Sequence, residues 1–128
     1  MPGSDAAPSK TDEQQLVPSV WRPTLEAIVG AFIAGDWQLS GAPPSVEHID
    51  DEIAQAIESS IAAYGGMTLT PLPDECWDTS VALWAGSGWQ VLVDLWSLEN
   101  GRTDLVLDVT VSEVDDGYQY KVHFVYVP

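Results

Sequence analysis

The sequence has few of the residues on which nucleic-acid binding, disulfide formation or metal binding most often depends. It carries 4 Lys and Arg residues against 20 Asp and Glu residues, and its formal net charge is −16. So few cations cannot neutralise many phosphates, and we expect neither nucleic acid nor a membrane surface as a partner. Cys76 is the only cysteine, which excludes an internal disulfide and a cysteine-rich zinc site.

Long apolar runs and targeting signals are also absent. No stretch approaches the roughly 20 apolar residues that a membrane helix needs, and the N-terminus has neither an early positive cluster nor an apolar signal region. We therefore expect a cytoplasmic protein. The sequence does contain 45% hydrophobic residues within 128 residues, which indicates one folded acidic domain rather than a disordered acidic tail.

The composition changes near residue 18. Residues 1–18 are rich in Pro, Ser, Ala and Gln and show no hydrophobic period, so we interpret them as a disordered N-terminal arm. Residues 19–128 then form a single α+β domain. Only three of the acids and one of the bases precede residue 21, which leaves a net charge of −14 on residues 21–128. The acidity therefore belongs to the folded part of the chain.

Hydrophobic periodicity predicts two helices followed by a sheet. The first helix runs from about Ser19 to Ala34, and its apolar stripe is Leu25, Ile28, Val29, Phe32 and Ile33. The second helix is capped by Ser45 and ends at Gly65 and Gly66. After Pro73 the period changes to two, and strands are predicted near residues 78–84, 88–97, 103–114 and 118–127. The predicted fold class is α+β, with two N-terminal helices packed on one face of a four-stranded antiparallel β-meander.

Alternation along the strands assigns one face of the predicted sheet to the core. On the last strand, the residues predicted to point inward are Tyr118, Tyr120, Val122, Phe124 and Tyr126. On the second and third strands, the residues predicted to point inward are Trp89, Val91, Val93, Leu95, Leu105, Leu107, Val109 and Val111. Trp84 and Trp96 are expected on the opposite face from Trp89.

The other face of the predicted sheet is left open, because two helices cover only one side. A two-residue turn at Asp115 and Asp116 would place Thr110 opposite Lys121 and Asp108 opposite His123. The open face would then be a mixed acidic and apolar surface. Its predicted residues are Asp94, Asp104 and Asp108 among Leu92, Trp96 and Val106.

No catalytic or metal-binding motif stands out. His48 and His123 are not in an HxxxH, HxH or HExxH pair, so a two-histidine metal site would need distant convergence. We interpret His123 as a cross-strand partner of Asp108 rather than a general base. Cys76 follows two acids that should raise its pKa and disfavour a thiolate. We expect no enzyme activity, no cofactor and no metal.

Several segments carry a resemblance to other proteins. These segments are WDTSVALW, GWQVLVDLWSLENG, TDLVL and the terminal VYVP. They resemble an uncharacterised bacterial family of small acidic domains, and the similarity covers most of residues 21–128. No catalytic residues follow from this resemblance. In size and charge the chain also resembles the immunity proteins of bacterial toxin systems, which implies binding to a cognate toxin.

Two hypotheses from different classes follow. The first is a non-enzymatic protein-binding module, an immunity-type inhibitor that neutralises a basic toxin, for example a nuclease, through an acidic, Trp-bearing surface. Its predicted partner-binding residues are Asp94, Trp96, Asp104, Asp108 and His123. The alternative is a small-ligand domain that holds a sugar-like molecule with exposed tryptophans on the open sheet face. A third interpretation, a hydrolase that uses Asp94, Asp108 and His123, has the least support. The sequence leaves the oligomeric state open.

Overall fold

The computed structural model describes residues 8–65 and 67–128 and shows an α+β fold. The helices are α1 (Arg22–Ile33) and α2 (Asp51–Ala62), with short 3-10 turns at Ser19–Trp21 and Asp74–Asp78. The strands are β1 (Gln15–Leu16), β2 (Val81–Trp84), β3 (Trp89–Ser97), β4 (Gly101–Val114) and β5 (Gly117–Tyr126). They form one antiparallel sheet in the order β1-β2-β3-β4-β5. The α+β class and the antiparallel meander are confirmed, but the sheet has five strands and not four.

The additional strand is β1, which lies in the segment that the sequence placed outside the fold. Gln15 pairs with Ala82 and Leu16 pairs with Val81 along the outer edge of β2. Val17 is completely buried, and its carbonyl accepts two hydrogen bonds from the Arg22 guanidinium, at 3.1 and 3.0 Å. The fold therefore begins before the predicted boundary at residue 19. Two paired residues are too few to produce a readable hydrophobic period. Residues 1–7 of the predicted arm lie outside the described residues.

The first helix is close to its prediction. The buried side chains of α1 are Leu25, Ile28, Val29 and Phe32, as the spacing predicted. Ile33 is 43% exposed and does not belong to the buried stripe. The helix ends where Gly35 adopts a φ of +84°, and its N–H donates to the Phe32 carbonyl at 3.0 Å. Glycine reaches that conformation at little cost, which explains the stop.

The second helix starts six residues later than Ser45, at Asp51. Its cap is Asp50, whose carboxylate accepts a hydrogen bond from the Ile53 N–H at 2.9 Å. Residues 45–47 instead lie along the outer edge of β5, where Val46 forms a parallel bridge with Tyr120. The Tyr120 N–H donates to the Ser45 carbonyl, and the Glu47 N–H donates to the Tyr120 carbonyl, both at 2.9 Å. These bonds use the backbone that an earlier helix start would have needed.

Both helices and the inward face of the sheet share one hydrophobic core. From α2 it receives Ala54, Ile57 and Ile61. From β3 and β4 it receives Trp89, Val91, Val93, Leu95, Leu105, Leu107, Val109 and Val111, each no more than 2% exposed. The predicted inward face of these two strands is confirmed. The sheet is thus anchored on one side, and the opposite side is available for other contacts.

Candidate functional site

A β-bulge in β5 decides which side chains reach the open face. Asp108 pairs with Phe124, whereas the next residue, Val109, pairs with Val122. His123 is therefore an extra residue on β5, and such an insertion reverses the faces to which the following side chains point. The predicted pair of Thr110 with Lys121 is confirmed, and Val114 pairs with Gly117 beside the predicted turn. The predicted pairing of Asp108 with His123 is wrong.

Beyond the bulge, the side chains of β5 exchange faces. Val125 is completely buried, although alternation had placed it on the open side. Phe124 and Tyr126, which were expected in the core, point to the open face, with their rings stacked at 6.3 Å between centroids and 14° between planes. One inserted residue thus adds two aromatic rings to the open face.

The open face has a continuous row of directly paired residues across all five strands. In order from β1 to β5 this central row is Leu16, Val81, Leu92, Asp108 and Phe124. Directly paired residues on neighbouring strands point to the same face. A second row, Asp94, Val106 and Tyr126, lies beside it. The central row is apolar except for Asp108, which places one carboxylate in the middle of a hydrophobic stripe.

The carboxylate of Asp108 has too few good hydrogen bonds in this position. Its Oδ2 accepts only long hydrogen bonds, from Gln90 Nε2 at 3.4 Å and from the Tyr126 hydroxyl at 3.5 Å. Its Oδ1 is buried and has no hydrogen-bond partner among the described residues. Partial burial and the nearby Asp108 carboxylate raise the pKa of Tyr126. A buried carboxylate oxygen without a donor is costly, so this position favours a donor supplied from outside the chain.

Asp94 and Trp96 lie on the same face, as predicted, and both are half-buried. The Asp94 carboxylate accepts a hydrogen bond from the Thr79 hydroxyl, and the Asp94 N–H donates to the Ser80 hydroxyl at 2.9 Å. The Trp96 indole N–H is buried without a hydrogen-bond partner among the described residues. Asp94 is therefore held in place by its neighbours, while Trp96 offers ring surface rather than its N–H group.

The other two predicted contact residues differ in their surroundings. Asp104 is exposed and lies where the pairing of β3 and β4 becomes irregular, and its N–H donates to the Tyr64 hydroxyl at 2.8 Å. His123 Nε2 is 2.7 Å from the Thr110 hydroxyl oxygen. The structure therefore brings Asp94, Trp96 and Asp108 onto one face but does not join His123 to a carboxylate.

The tryptophans are less accessible than the sequence suggested. All six lie among the described residues and none is exposed: Trp21, Trp77 and Trp89 are buried, and Trp37, Trp84 and Trp96 are half-buried. Trp84 pairs directly with Trp89, with 4.8 Å between ring centroids, so its predicted place on the opposite face is wrong. Only Trp96 remains as an open-face tryptophan.

The sequence analysis did not predict a second cluster of side chains, in which Lys10 contacts Glu113 and two tryptophan rings at the edge of the sheet. Lys10 Nζ is 2.6 Å from Glu113 Oε1 and lies 5.2 and 5.8 Å from the ring centroids of Trp84 and Trp89. The Trp89 indole N–H donates to the Ser9 carbonyl at 2.8 Å. We call Trp84, Trp89 and Glu113 the lysine cradle. Lys10 and Glu113 are separated by 103 residues, so no local signal could have predicted their contact.

Cys76 is a buried thiol. Burial raises its pKa to about 11, and the charges of Asp94 and Glu26 add to the effect, whereas a hydrogen bond with Ser80 opposes it. The sequence attributed the raised pKa to adjacent acids, but burial is the main cause. Its sulfur is 3.3 Å from the Ser80 hydroxyl and from the Asp94 carbonyl. The thiol is therefore protonated at neutral pH, which disfavours nucleophilic chemistry.

The remaining candidates for a functional site are a cavity between the helices, metal-binding groups of side chains and His48. A cavity of about 260 Å³ between the end of α1 and α2 is lined by Asp36, Trp37, Asp51 and Glu58, among others. No group of three or more His, Cys, Asp or Glu side chains within residues 8–65 and 67–128 is arranged to hold a metal ion. His48 is exposed and precedes α2 instead of lying on it. No helix in the described part of the chain has the length and apolar character needed to cross a membrane.

Comparison with known proteins identifies a family but no function. No curated protein and no solved structure showed a significant match to this chain. A family model described as a domain of unknown function, DUF7668, matches residues 29–128. The match begins inside α1 and includes α2, β2 to β5 and the whole of the open face apart from β1. The chain therefore belongs to the DUF7668 family.

Proposed function

We propose that this protein is a non-enzymatic binding module that recognises a basic protein through the open face of its sheet. The observation that carries the proposal is the central row, in which the under-bonded Asp108 carboxylate lies between Leu92 and Phe124. A cationic side chain from a partner would supply the missing donor, while the apolar neighbours would exclude water from the contact.

The charge distribution supports a basic partner. Within the described residues, one ion pair is formed, between Lys10 and Glu113. Arg22 is also engaged, because its guanidinium binds the Val17 carbonyl and lies 5.5 Å from the Trp77 ring centroid. The formal net charge of −16 is what remains after all four Lys and Arg residues of the chain are counted. Such a field accelerates the encounter with a basic protein and repels acidic ones.

The aromatic groups of the open face are suited to protein contact. The stacked rings of Phe124 and Tyr126 lie beside the Asp108 carboxylate, and Trp96 lies farther along β3. Aromatic side chains contribute disproportionately to binding energy at protein interfaces. To the contact residues predicted from sequence (Asp94, Trp96, Asp104, Asp108 and His123), the proposal adds Phe124 and Tyr126.

The specific form of the proposal is an immunity-type inhibitor that acts in the cytoplasm on a basic toxin. A nuclease fits this role, because its substrate-binding cleft must be basic, and an acidic surface that covers the cleft would block the substrate. The size and acidity of the chain support this class of protein. The partner's identity rests on charge and on the surface chemistry described above.

The alternatives have weaker support. A sugar-binding surface would need exposed tryptophan rings, but Trp96 is half-buried and Trp84 lies on the core side of the sheet. A hydrolase that uses Asp94, Asp108 and His123 would need the histidine beside a carboxylate, whereas its Nε2 contacts Thr110. These observations favour protein binding over both alternatives.

The test begins with capture of partners from an extract of the source cell on the immobilised full chain. A captured basic protein is identified and purified, and its dissociation constant is measured at 50 and 150 mM salt. We expect Asp94→Asn with Asp108→Asn to weaken binding at least tenfold. The matched control, Glu52→Gln with Glu58→Gln on the exposed side of α2, removes the same charge and should change binding less than threefold.

Two outcomes would overturn the proposal. One is that no basic protein is captured, and the other is that the two charge-matched double variants weaken binding equally. The inhibitor form has a separate readout, since the captured protein should lose its activity when the full chain is added in equimolar amount. If it binds but stays active, the protein is a binding module and not an inhibitor.

A further inference from the structure

The chain fills one of its own surface sites with a lysine. The Lys10 ammonium contacts the Glu113 carboxylate at 2.6 Å and lies over both rings of the lysine cradle. A carboxylate supplies charge, and the ring faces supply cation–π attraction, so the cradle has the chemistry that selects an alkylammonium group. Lys10 already occupies the cradle, so the structure shows how a lysine ammonium is held there.

The segment that delivers Lys10 is weakly attached along the edge of the sheet. Strand β1 pairs with only two of the four residues of β2, which leaves Leu83 and Trp84 without a partner in β1. Much of the remaining bonding of residues 9–15 is internal, since Ser9 and Gln15 bond to each other through their backbone and amide groups. Two-residue pairing contributes little stability on its own. A longer extended segment could form more bonds with β2 than β1 does.

The surroundings of this edge favour a cationic segment. Lys10 and Glu113 are both exposed, so the contact can exchange with solvent. Glu113 lies two residues before the acidic turn formed by Asp115 and Asp116. A segment that brought one lysine into the cradle and further basic residues beside it would gain attraction that the chain's own Asp12 and Glu13 cannot provide.

We infer that the outer edge of β2 and the lysine cradle together form a docking site for an extended, lysine-bearing segment of a basic protein, which replaces residues 9–16. The backbone of that segment pairs with β2, and its lysine takes the place of Lys10, a form of recognition by strand addition. This inference rests on the proposed function and adds to the open face a second contact for the same basic protein. Residues 9–16 then act as an internal competitor.

The cradle is tested with full-length protein and a synthetic probe. The probe is a fluorescent peptide with the sequence of residues 8–18, and its control peptide carries Lys10→Gln. In wild-type protein the attached Lys10 competes with the probe. We expect the full-length Lys10→Gln variant to bind the lysine probe about five- to tenfold more tightly than wild type, in line with one cation–π contact and one exposed ion pair. The glutamine peptide should show no such gain.

Two further variants identify the groups responsible. In the Lys10→Gln protein, Trp84→Leu and Glu113→Gln should each remove most of the gain in affinity for the lysine probe. The far-ultraviolet circular dichroism spectrum should stay unchanged in both double variants. Glu58→Gln, on the exposed side of α2, is the charge-matched control and should leave the gain intact. Equal binding of the lysine and glutamine peptides, or a gain that survives both cradle substitutions, would overturn the inference.

Replacement of residues 9–16 is tested with a reversible staple. Leu16→Cys with Val81→Cys places two cysteines at directly paired positions, where the Cα separation is suitable for a disulfide. The oxidised protein should bind the lysine probe at least fivefold more weakly than the same protein after reduction. If oxidation has no effect, the segment does not leave and strand replacement is wrong. These peptide experiments use no variant of Asp94 or Asp108 and no captured partner. They can therefore fail while the proposed function stands, and the proposed function can fail while they succeed.

Discussion

His123 contacts Thr110 rather than Asp108, with its Nε2 2.7 Å from the threonine hydroxyl oxygen. The two residues lie on neighbouring strands at the point where β5 holds one residue more than β4 can pair. Their contact holds the histidine at the bulge. Because of the bulge, Asp108 loses its predicted histidine neighbour and is placed opposite a phenylalanine ring instead.

Because the bulge turns Val125 into the core, we expect a polar substitution at this position to destabilise the protein. Val125→Thr should lower the free energy of unfolding by about 1–3 kcal/mol, because it places a hydroxyl group in a fully buried position. Val127→Thr is the matched control. Val127 is 54% exposed, and its substitution should change the free energy by less than about 0.5 kcal/mol. Urea unfolding measures both, and equal effects would show that β5 continues without a change of phase.

The corrected start of α2 makes a second prediction. Asp50→Ala should destabilise the protein by about 1 kcal/mol, because the Ile53 N–H loses its capping acceptor. Ser45→Ala should cost much less, since Ser45 contributes its backbone carbonyl to β5 and alanine keeps that group. The comparison uses urea midpoints at neutral pH. A larger loss at Ser45 than at Asp50 would restore the helix start predicted from sequence.

The N-terminal segment makes a third prediction. Deletion of residues 1–18 should lower the free energy of unfolding by about 2–4 kcal/mol, because burial of the completely enclosed Val17 side chain is lost together with the β1 pairing. Leu16→Ser is the control, since Leu16 is 56% exposed. Thermal and urea unfolding of the three proteins provide the measurement. An unchanged melting temperature after deletion would support the disordered arm expected from sequence.

Cys76 makes a prediction about alkaline pH. Its pKa is raised from 9.0 to about 11 in the folded protein, so the unfolded chain loses the thiol proton first. The contribution of the protonated thiol to stability is complete below pH 9 and disappears as the pH rises to about 11. Urea midpoints should therefore fall over this range, and they should fall less in Cys76→Ala. Cys76→Ala removes this thiol and leaves every other ionisable side chain in place, so parallel curves would contradict a folded-state shift at Cys76.

Much of the fold could be predicted because its elements are long and periodic. The buried residues of α1 and the inward residues of β3 follow spacings of 3.6 and 2, which packing against one core imposes along many residues. The turn at Asp115 and Asp116 correctly set the nearby pairs of β4 and β5. Such local patterns predict the structure correctly because the tertiary contacts of these segments agree with the local preferences of their residues.

The remainder depended on interactions between distant residues. The strand β1 has only two residues, and its pairing is stabilised by Val17 and by the edge of β2, neither of which leaves a periodic signal. The bulge at His123 adds one residue to an otherwise regular pattern, and alternation cannot show where such an insertion falls. For this reason the prediction correctly placed Asp94 and Asp108 on the open face, but it assigned Phe124 and Val125 to the wrong faces.

Both outer edges of the sheet are partly covered by short segments of the same chain: β1 lies along two residues of β2, and residues 45–47 lie along β5 at Tyr120. Exposed strand edges are the places where identical chains join into fibrils. Two residues of β2 and one bridge position of β5 are occupied in this way, and every copy carries a charge of −16, so edge-to-edge stacking of molecules of this protein is disfavoured. Solutions at high concentration should therefore stay free of fibrils, and they should lose that protection when the N-terminal segment is removed in high salt.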